Sequence, residues 1–589
     1  MRSTLSRLLA GGVLALAILV PMGWILRGAL LRSDAGEAWE ILAGIDVQGL
    51  LATSILLALL ATGLALLLGL PLALMLNLRR FPGRGWIGSL YFLPLVIPPH
   101  IHVIAWTRVI GDRGWLTTWL KEAVGFPLDV RAPLADPATS DFLGHIYLGP
   151  AWILACAYFP LITLSVSSGV RALDGEAVEA ARLAGGRLRT LTRVVLPLLA
   201  PRIMAGAFFV FVLSLGTYPV VSLLDTPVLI QKIFYTFQKV DQQAGALMSV
   251  PLVAVAGLAV FMLGLVERRA PTAQGGLRPP RLEARSLGTS FLALLPLILA
   301  AGIPLWSLLA EAGPLSFSGD VADNYQSVFD RVRPAFVDSL LFTLLGVLVL
   351  VLVSYPLGRT LAWRRAGGLE ALSLSALAFP PVVIGVALLL FWADAAAEKV
   401  TVGFLTLAAA LMALAVTRRR RGGRRALKEA LLVFVVLVGA GFLAWAAGLP
   451  GLVYREGMIL LVLAYLARFL PFTVRLFKNG FRALDPLEVE AARLSGHGVL
   501  GTMLRVEWPR MKACVTAGAV MSYVLCFTEL AATLMVIPEG RQSVQIRIFN
   551  MIHYRAVGEV AALCVMTIIL AAAPVVLFAL LSRRKVDVL

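Results

Sequence analysis

The sequence predicts an all-α, polytopic transmembrane helical bundle of 12–14 spans, built as two parallel repeats. Three observations carry this. Hydrophobic residues make up 59% of the 589 and charged residues only 15%, with a mean hydropathy of +0.87, more apolar surface than a water-soluble fold can bury. Apolar stretches of about 18–25 residues recur along the whole chain, each long enough to cross ~30 Å of hydrocarbon as a helix. And two polar islands are near-copies: Arg171-Ala-Leu-Asp-Gly-Glu-Ala-Val-Glu-Ala-Ala-Arg-Leu183 and Arg482-Ala-Leu-Asp-Pro-Leu-Glu-Val-Glu-Ala-Ala-Arg-Leu494 match at ten of thirteen positions.

Taken in order, half one reads as spans near 8–30, 49–76, 87–110, 149–170, 202–224 and 244–266. The first follows Arg2 and Arg7 but is too long for the ~7–15-residue apolar core of a signal peptide, so it reads as an uncleaved span. Half two reads as spans near 289–311, 337–361, 371–393, 400–417, 427–447, 456–477, 513–537 and 559–581. The pair at 400–417 and 427–447 flanks Arg418 to Arg421 and is additional to a six-plus-six plan; if it re-enters or lies on the surface, twelve spans remain. The Pro-, Gly- and Arg-rich stretch 267–288 reads as a cytoplasmic linker, giving domains 1–266 and 289–589.

The repeat extends past the loops. Ser54 precedes Pro71-Leu72 by the same 17 residues that separate Ser339 from Pro356-Leu357, and Pro98-Pro99 and Pro380-Pro381 fall in the next span of each half. An even number of spans separates the copies, so equivalent segments face the same side and a pathway between the halves is expected.

The formal charge of +18 does not point to nucleic acid. Sorted by side of the membrane, most Lys and Arg fall on the side of the two copied loops, which marks that side and both termini as cytoplasmic. The basic surface then reflects topology and anionic lipid headgroups. Cys156, Cys514, Cys526 and Cys564 all lie in apolar spans without a Cys-x-x-Cys pair, so they read as buried thiols.

Each copied loop reads as a helix, an elbow and a second helix. Asp485-Pro486-Leu487-Glu488 supplies an N-cap, a proline at the first helical position and a Glu to close a capping box; Asp174 with Glu176 is the looser version. Ala180-Ala181 and Ala491-Ala492 leave a low face for a partner, and Gly185 or Gly496 permits the left-handed turn that ends the helix. A second segment is expected to stop at Pro197 or Pro509, where the next span begins.

These loops resemble those of permease subunits of bacterial ABC importers: Glu179-Ala180-Ala181 or Glu490-Ala491-Ala492, then three residues and a glycine, then about nine residues and an aliphatic-x-x-Pro. The resemblance implies a coupling helix that docks in a groove of an ATP-binding subunit, with force passing through Glu179 to Gly185 and Glu490 to Gly496. It also implies two ATP-binding subunits as a homodimer, which hold the ATP and Mg, and a periplasmic or extracellular substrate-binding protein. The second copy fits in length, Gly496 through Val506-Glu-Trp-Pro509, and the first is one residue short. Within that family, Thr528-Glu-Leu-Ala-Ala-Thr-Leu534, Pro538-Glu-Gly540 and Arg547-Ile-Phe-Asn-Met-Ile-His-Tyr554 most resemble fused iron(III)-type permeases of the bacterial inner membrane, which implies ferric iron as substrate. Fused thiamine, phosphonate and polyamine permeases share much of the pattern.

No lysine follows a glycine, so the chain has no Gly-Lys-Ser/Thr phosphate loop and is not expected to bind a cofactor or hydrolyse ATP. Pathway candidates are the intramembrane charges Arg468 and Glu529, read either as lining or as a structural ion pair, with Thr217 at the position equivalent to Glu529 and Ala157 at that of Arg468. Tyr158, Tyr218 and Tyr523 are further lining candidates. His100 and His102 point some 200° apart on a helix and cannot readily chelate one ion; helix packing is the main reading, with His102 or His100 as a single polar lining residue the lesser one. No metal site is assigned. The rival class, a carrier driven by an ion gradient, would need several intramembrane acids and no duplicated loop.

Overall fold

The computed structural model describes residues 20–31, 40, 43–111, 114–124, 131, 147–269, 287–313, 321–363, 367–393, 458–496, 499–552 and 557–582. Among them every regular element is helical. Among the described residues nine helices are long and apolar enough to cross a membrane, and the number rises to 11 if each of two bent pairs is one span. The span predicted over 8–30 is described only as Val20–Leu31. The predicted extra pair at 400–417 and 427–447, and most of the linker 267–288, lie outside the described residues.

Two predicted spans are not straight. The stretch 87–110 folds as Arg84–Val96 followed by Pro99–Ala123 with a 96° bend, and 371–393 as Glu370–Ala378 followed by Pro381–Trp392 with a 102° bend. The cause lies in the paired prolines. Each Pro removes a helical N–H, and the residue before it is pushed out of the helical region; Ile97 and Phe379 are accordingly extended, at φ −79°, ψ 114° and φ −98°, ψ 119°. The same sequence device breaks the same span in both halves.

The halves share three more devices. Ser54 Oγ accepts the Leu229 N–H at 2.9 Å, and Ser339 Oγ accepts the Val544 N–H at 2.7 Å, so the start of the long span pins a short helix at the far end of each half. Just before each copied loop a glycine lets two spans touch: a Cβ on Gly169 would lie 2.7 Å from Arg202 Cγ, and one on Gly480 2.5 Å from Cys514 Sγ. After each loop the helix widens into a π-turn, Leu191–Val195 and Met503–Glu507. Contrary to the expected stop at Pro197 and Pro509, both helices run on through these prolines, because the wide turn absorbs the missing N–H.

The halves are interleaved rather than side by side. Val20–Leu31 packs on Pro381–Ala393 of half two, with Trp24 edge-on to Phe391 at 5.9 Å. In return Leu287–Leu297 packs on Val47–Leu78, and Ile303–Glu311 on Pro99–Ile110, where Ser307 Oγ donates to the Ala105 carbonyl at 3.0 Å. The first span of each half thus completes the core of the other, and one apolar core draws on both.

Candidate functional site: two loop levers and a charged layer between the halves

The first lever is Gly175–Thr190, capped by Asp174 accepting from the Glu176 N–H at 3.0 Å. The second is Pro486–Leu494, where Asp485 accepts from the Leu487 N–H at 2.9 Å. Glu488, expected to close a capping box, has its Oε1 on Arg510 Nη2 at 2.7 Å, bracing the lever against the returning span. Exposure matches at five equivalent positions. Val178 and Val489 turn inward at 2% and 1%, while Glu179, Ala180, Glu490 and Ala491 face out. Ala181 and Ala492 are half-buried. Leu183 and Leu494 stand almost fully in the open at 86% and 88%. These two leucines were not singled out from the sequence, although both end the copied motif.

The elbows differ. Gly496 is left-handed at φ 82°, as expected, but in half one the left-handed residue is Gly186, at φ 74°, and not Gly185. With two adjacent glycines only the fold selects which one turns. Pro197 follows its elbow by 11 residues and Pro509 by 13, so the segment after the first elbow is two residues short rather than the one that motif counting indicates.

Between the halves lies the predicted ion pair. Arg468 Nη1 stands 2.6 Å from both oxygens of Glu529, and Glu529 Oε1 also accepts the Ala532 N–H at 2.8 Å. Glu529 is buried at 4%, whereas the Arg468 side chain keeps 23% of its surface. The Glu529 carboxylate is therefore satisfied by a guanidinium and a backbone donor, which makes its burial affordable. On the half-one side Thr217 Oγ1 lies 3.2 Å from Tyr158 Oη, and Tyr158 is within electrostatic reach of both Arg468 and Glu529. The four residues Tyr158, Thr217, Arg468 and Glu529 thus form one polar layer from both halves.

His102 does not join it. Its Nε2 lies 3.2 Å from the Pro94 carbonyl, inside the elbow of its own broken span, and the residue is fully buried. His100 instead spans the halves, with Nε2 2.8 Å from Gln545 Oε1, while Gln545 Nε2 donates to the Phe527 carbonyl. Tyr523 donates to the Leu570 carbonyl at 3.4 Å. The two histidines therefore do separate packing work, as their angular separation demands.

Toward the levers the halves meet twice more. Phe209 and Phe472 stand edge to face with centroids 5.3 Å apart. One turn further, Arg475 Nη2 meets Glu267 Oε2 at 2.7 Å. Neither contact was read from the sequence, because long separation leaves no local pattern; Glu267 in particular falls where the linker was predicted. A cleft of about 450 Å³ lies elsewhere, at the end opposite the levers among Arg108, Arg131 and Glu311. Among the described residues no group of three metal-ligating side chains occurs.

Residues 65–272 match the family model described as binding-protein-dependent transport system inner membrane component. The chain is 24% identical over 261 residues to the sulfate transport system permease protein CysT of Escherichia coli, covering 43% of this chain and 88% of that protein. It is 27% identical over 262 residues to the molybdenum transport system permease protein ModB of Mycobacterium tuberculosis, covering 42% and 91%. A putative 2-aminoethylphosphonate transport system permease protein, PhnU of Salmonella typhimurium, is 28% identical over 217 residues, covering 36% and 71%. Residues 65–272, which contain the first lever, are thus the part of the chain that is similar to binding-protein-dependent inner-membrane transport components. These similarities lend no support to ferric iron in particular.

Proposed function

We propose that the chain is the complete membrane pathway of an ATP-driven importer, both halves being permease domains fused in one polypeptide. The observation that carries this reading is the matched exposure of the two levers. A buried valine seats each helix while a glutamate, an alanine and a nearly bare leucine are offered outward at the same positions. A single exposed leucine is unremarkable on a protein surface; the same one presented twice, on duplicated capped helices, reads as a pair of docking points. Two ATP-binding subunits would sit on them at the cytoplasmic face, which also holds both termini, and a soluble binding protein would deliver substrate opposite.

Closure of the ATP-binding subunits would push both levers, and each push enters the span that follows through its π-turn. The polar layer of Tyr158, Thr217, Arg468 and Glu529 lies in the path between the halves. An oxyanion is the substrate class we favour, since the similar permeases are named for sulfate, molybdenum and a phosphonate and Arg468 offers a partly open guanidinium. Ferric iron is the second reading, favoured by the resemblance of 528–554 to iron(III)-type permeases.

The test is uptake into vesicles holding this chain with its ATP-binding subunits. Uptake should require both ATP and the binding protein, and Glu490→Ala or Leu494→Asp should abolish it. Uptake on a proton or sodium gradient alone would overturn the reading. Within the layer, Arg468→Glu with Glu529→Arg should recover transport lost by either change alone, and full activity in Glu529→Gln would remove that carboxylate from the pathway. Comparing sulfate, molybdate and ferric ion as the transported species separates the two substrate readings.

A further inference from the structure

At the end of the bundle opposite the levers each half lays one short helix across the surface, Leu229–Lys239 in half one and Val544–Met551 in half two. Each begins at the residue pinned by the serine of its own half, Leu229 on Ser54 and Val544 on Ser339. Counted from those pinned residues, Lys232 matches Arg547 and Phe234 matches Phe549. The two phenylalanines flank a single ring. Phe234 stacks on Tyr218 with centroids 4.1 Å apart, and Phe549 approaches it from the other half at 6.4 Å. Tyr218 directly follows Thr217, so these helices roof the polar layer that contains Arg468 and Glu529.

Beside Tyr218, helix Leu229–Lys239 borders a cleft of about 380 Å³. Its wall carries Lys232, Lys239, Gln231, Gln238 and Ser222, and among the described residues no carboxylate lines it. The Lys232 ammonium sits 5.7 Å from the centroid of the Tyr235 ring. Two ammonium groups and several amide and hydroxyl donors lining one cleft attract an anion with several acceptor oxygens. A cation entering here would meet like charge and no counter-ion. The opposite half repeats the cation, with Arg547 at the matching position.

We infer that this cleft is an oxyanion-binding site at the mouth of the pathway. The oxyanion is either a free solute about to enter or the phosphate of a lipid headgroup, and the chemistry of recognition is the same for both. The site's place on a transport route rests on the permease reading above; the existence of the site does not.

The experiment measures acylation of lysines in the purified full-length chain, read by peptide mass spectrometry, with no ATP and no partner protein. In detergent, sulfate or molybdate should slow labelling of Lys232 and Lys239 several-fold and saturably against chloride at equal ionic strength, leaving Lys512 at the lever end unchanged. In Lys232→Gln the protection of Lys239 should disappear, and Lys232→Arg should retain it. A second arm compares nanodiscs of phosphatidylglycerol with nanodiscs of a phosphate-free galactolipid, without added oxyanion. Protection by sulfate or molybdate in detergent identifies a free solute; protection only by the phosphate lipid identifies a headgroup. Equal labelling in every condition overturns the site, even if ATP-driven uptake is found. Protection in a chain that shows no ATP-driven uptake keeps the site and removes the permease reading instead.

Discussion

Where half one holds Leu74 and Val195, three residues past Pro71 and two before Pro197, half two holds Arg359 and Glu507 at the same steps from Pro356 and Pro509. Arg359 grips the fully buried Glu507 through two bonds, Nε to Oε2 at 2.7 Å and Nη2 to Oε1 at 2.5 Å. The contrast recurs. Ala157 and Thr217 stand where Arg468 and Glu529 pair, and Ser167, which accepts from Asn77 at 2.8 Å, stands where Lys478 pairs with Glu370. Identical backbone devices are thus held by packing and neutral hydrogen bonds in half one and by ion pairs in half two. A duplicated fold accepts either solution because each set of partners is self-contained; a charge is tolerated in the core when its counter-charge arrives with it.

The largest effect should come from stranding one member of such a pair. Glu507→Val leaves Arg359 without its counter-ion beside the second lever and should cost about 3 kcal/mol, toward the lower end for a broken buried pair because Arg359 keeps some exposure. Adding Arg359→Leu copies half one and should recover most of the loss in thermal unfolding. A double variant as unstable as the single would show that the halves are not interchangeable at this point.

Smaller is the cost of filling the glycine pinch. Gly480→Ala drives a methyl to 2.5 Å from Cys514 Sγ and should cost about 1–3 kcal/mol. Gly169→Ala meets Arg202 Cγ at 2.7 Å and Leu199 Cδ2 at 2.9 Å and should cost a comparable amount, so a melting shift in only one of the two variants would contradict the geometry. Smallest are the caps. Asp174→Ala and Asp485→Ala should each loosen a lever by about 1 kcal/mol. Amide exchange should rise more in half one, where Gly175 follows the cap, than in half two, where Pro486 presets the first turn.

Hydropathy alone exposes most of the spans, since a 20-residue apolar run has one economical conformation in hydrocarbon. The two levers are equally visible, because capping and the Glu-Ala-Ala run act over a few neighbouring residues. The intramembrane pair Arg468–Glu529 is also legible, an uncompensated charge in a span being costly enough to imply a partner. The 96° and 102° bends are half visible: Pro-Pro marks where a span is weakened, but the direction it then takes depends on what it packs against. The choice of Gly186 over Gly185 is invisible for a similar reason, since both can adopt the same backbone.

By itself, then, the chain's order of residues determined the all-helical membrane class, the twofold repeat, the capped levers and the residue types of the central pair, all properties set within one or two helical turns. Only the tertiary structure decided the exchange of first spans between halves, the Phe209–Phe472 and Arg475–Glu267 contacts, the Arg359–Glu507 brace and the lysine-lined cleft beside Tyr218. Those join residues from tens to hundreds of positions apart. Their partners are selected by which helix faces meet when the two halves interleave, a condition that no local pattern encodes.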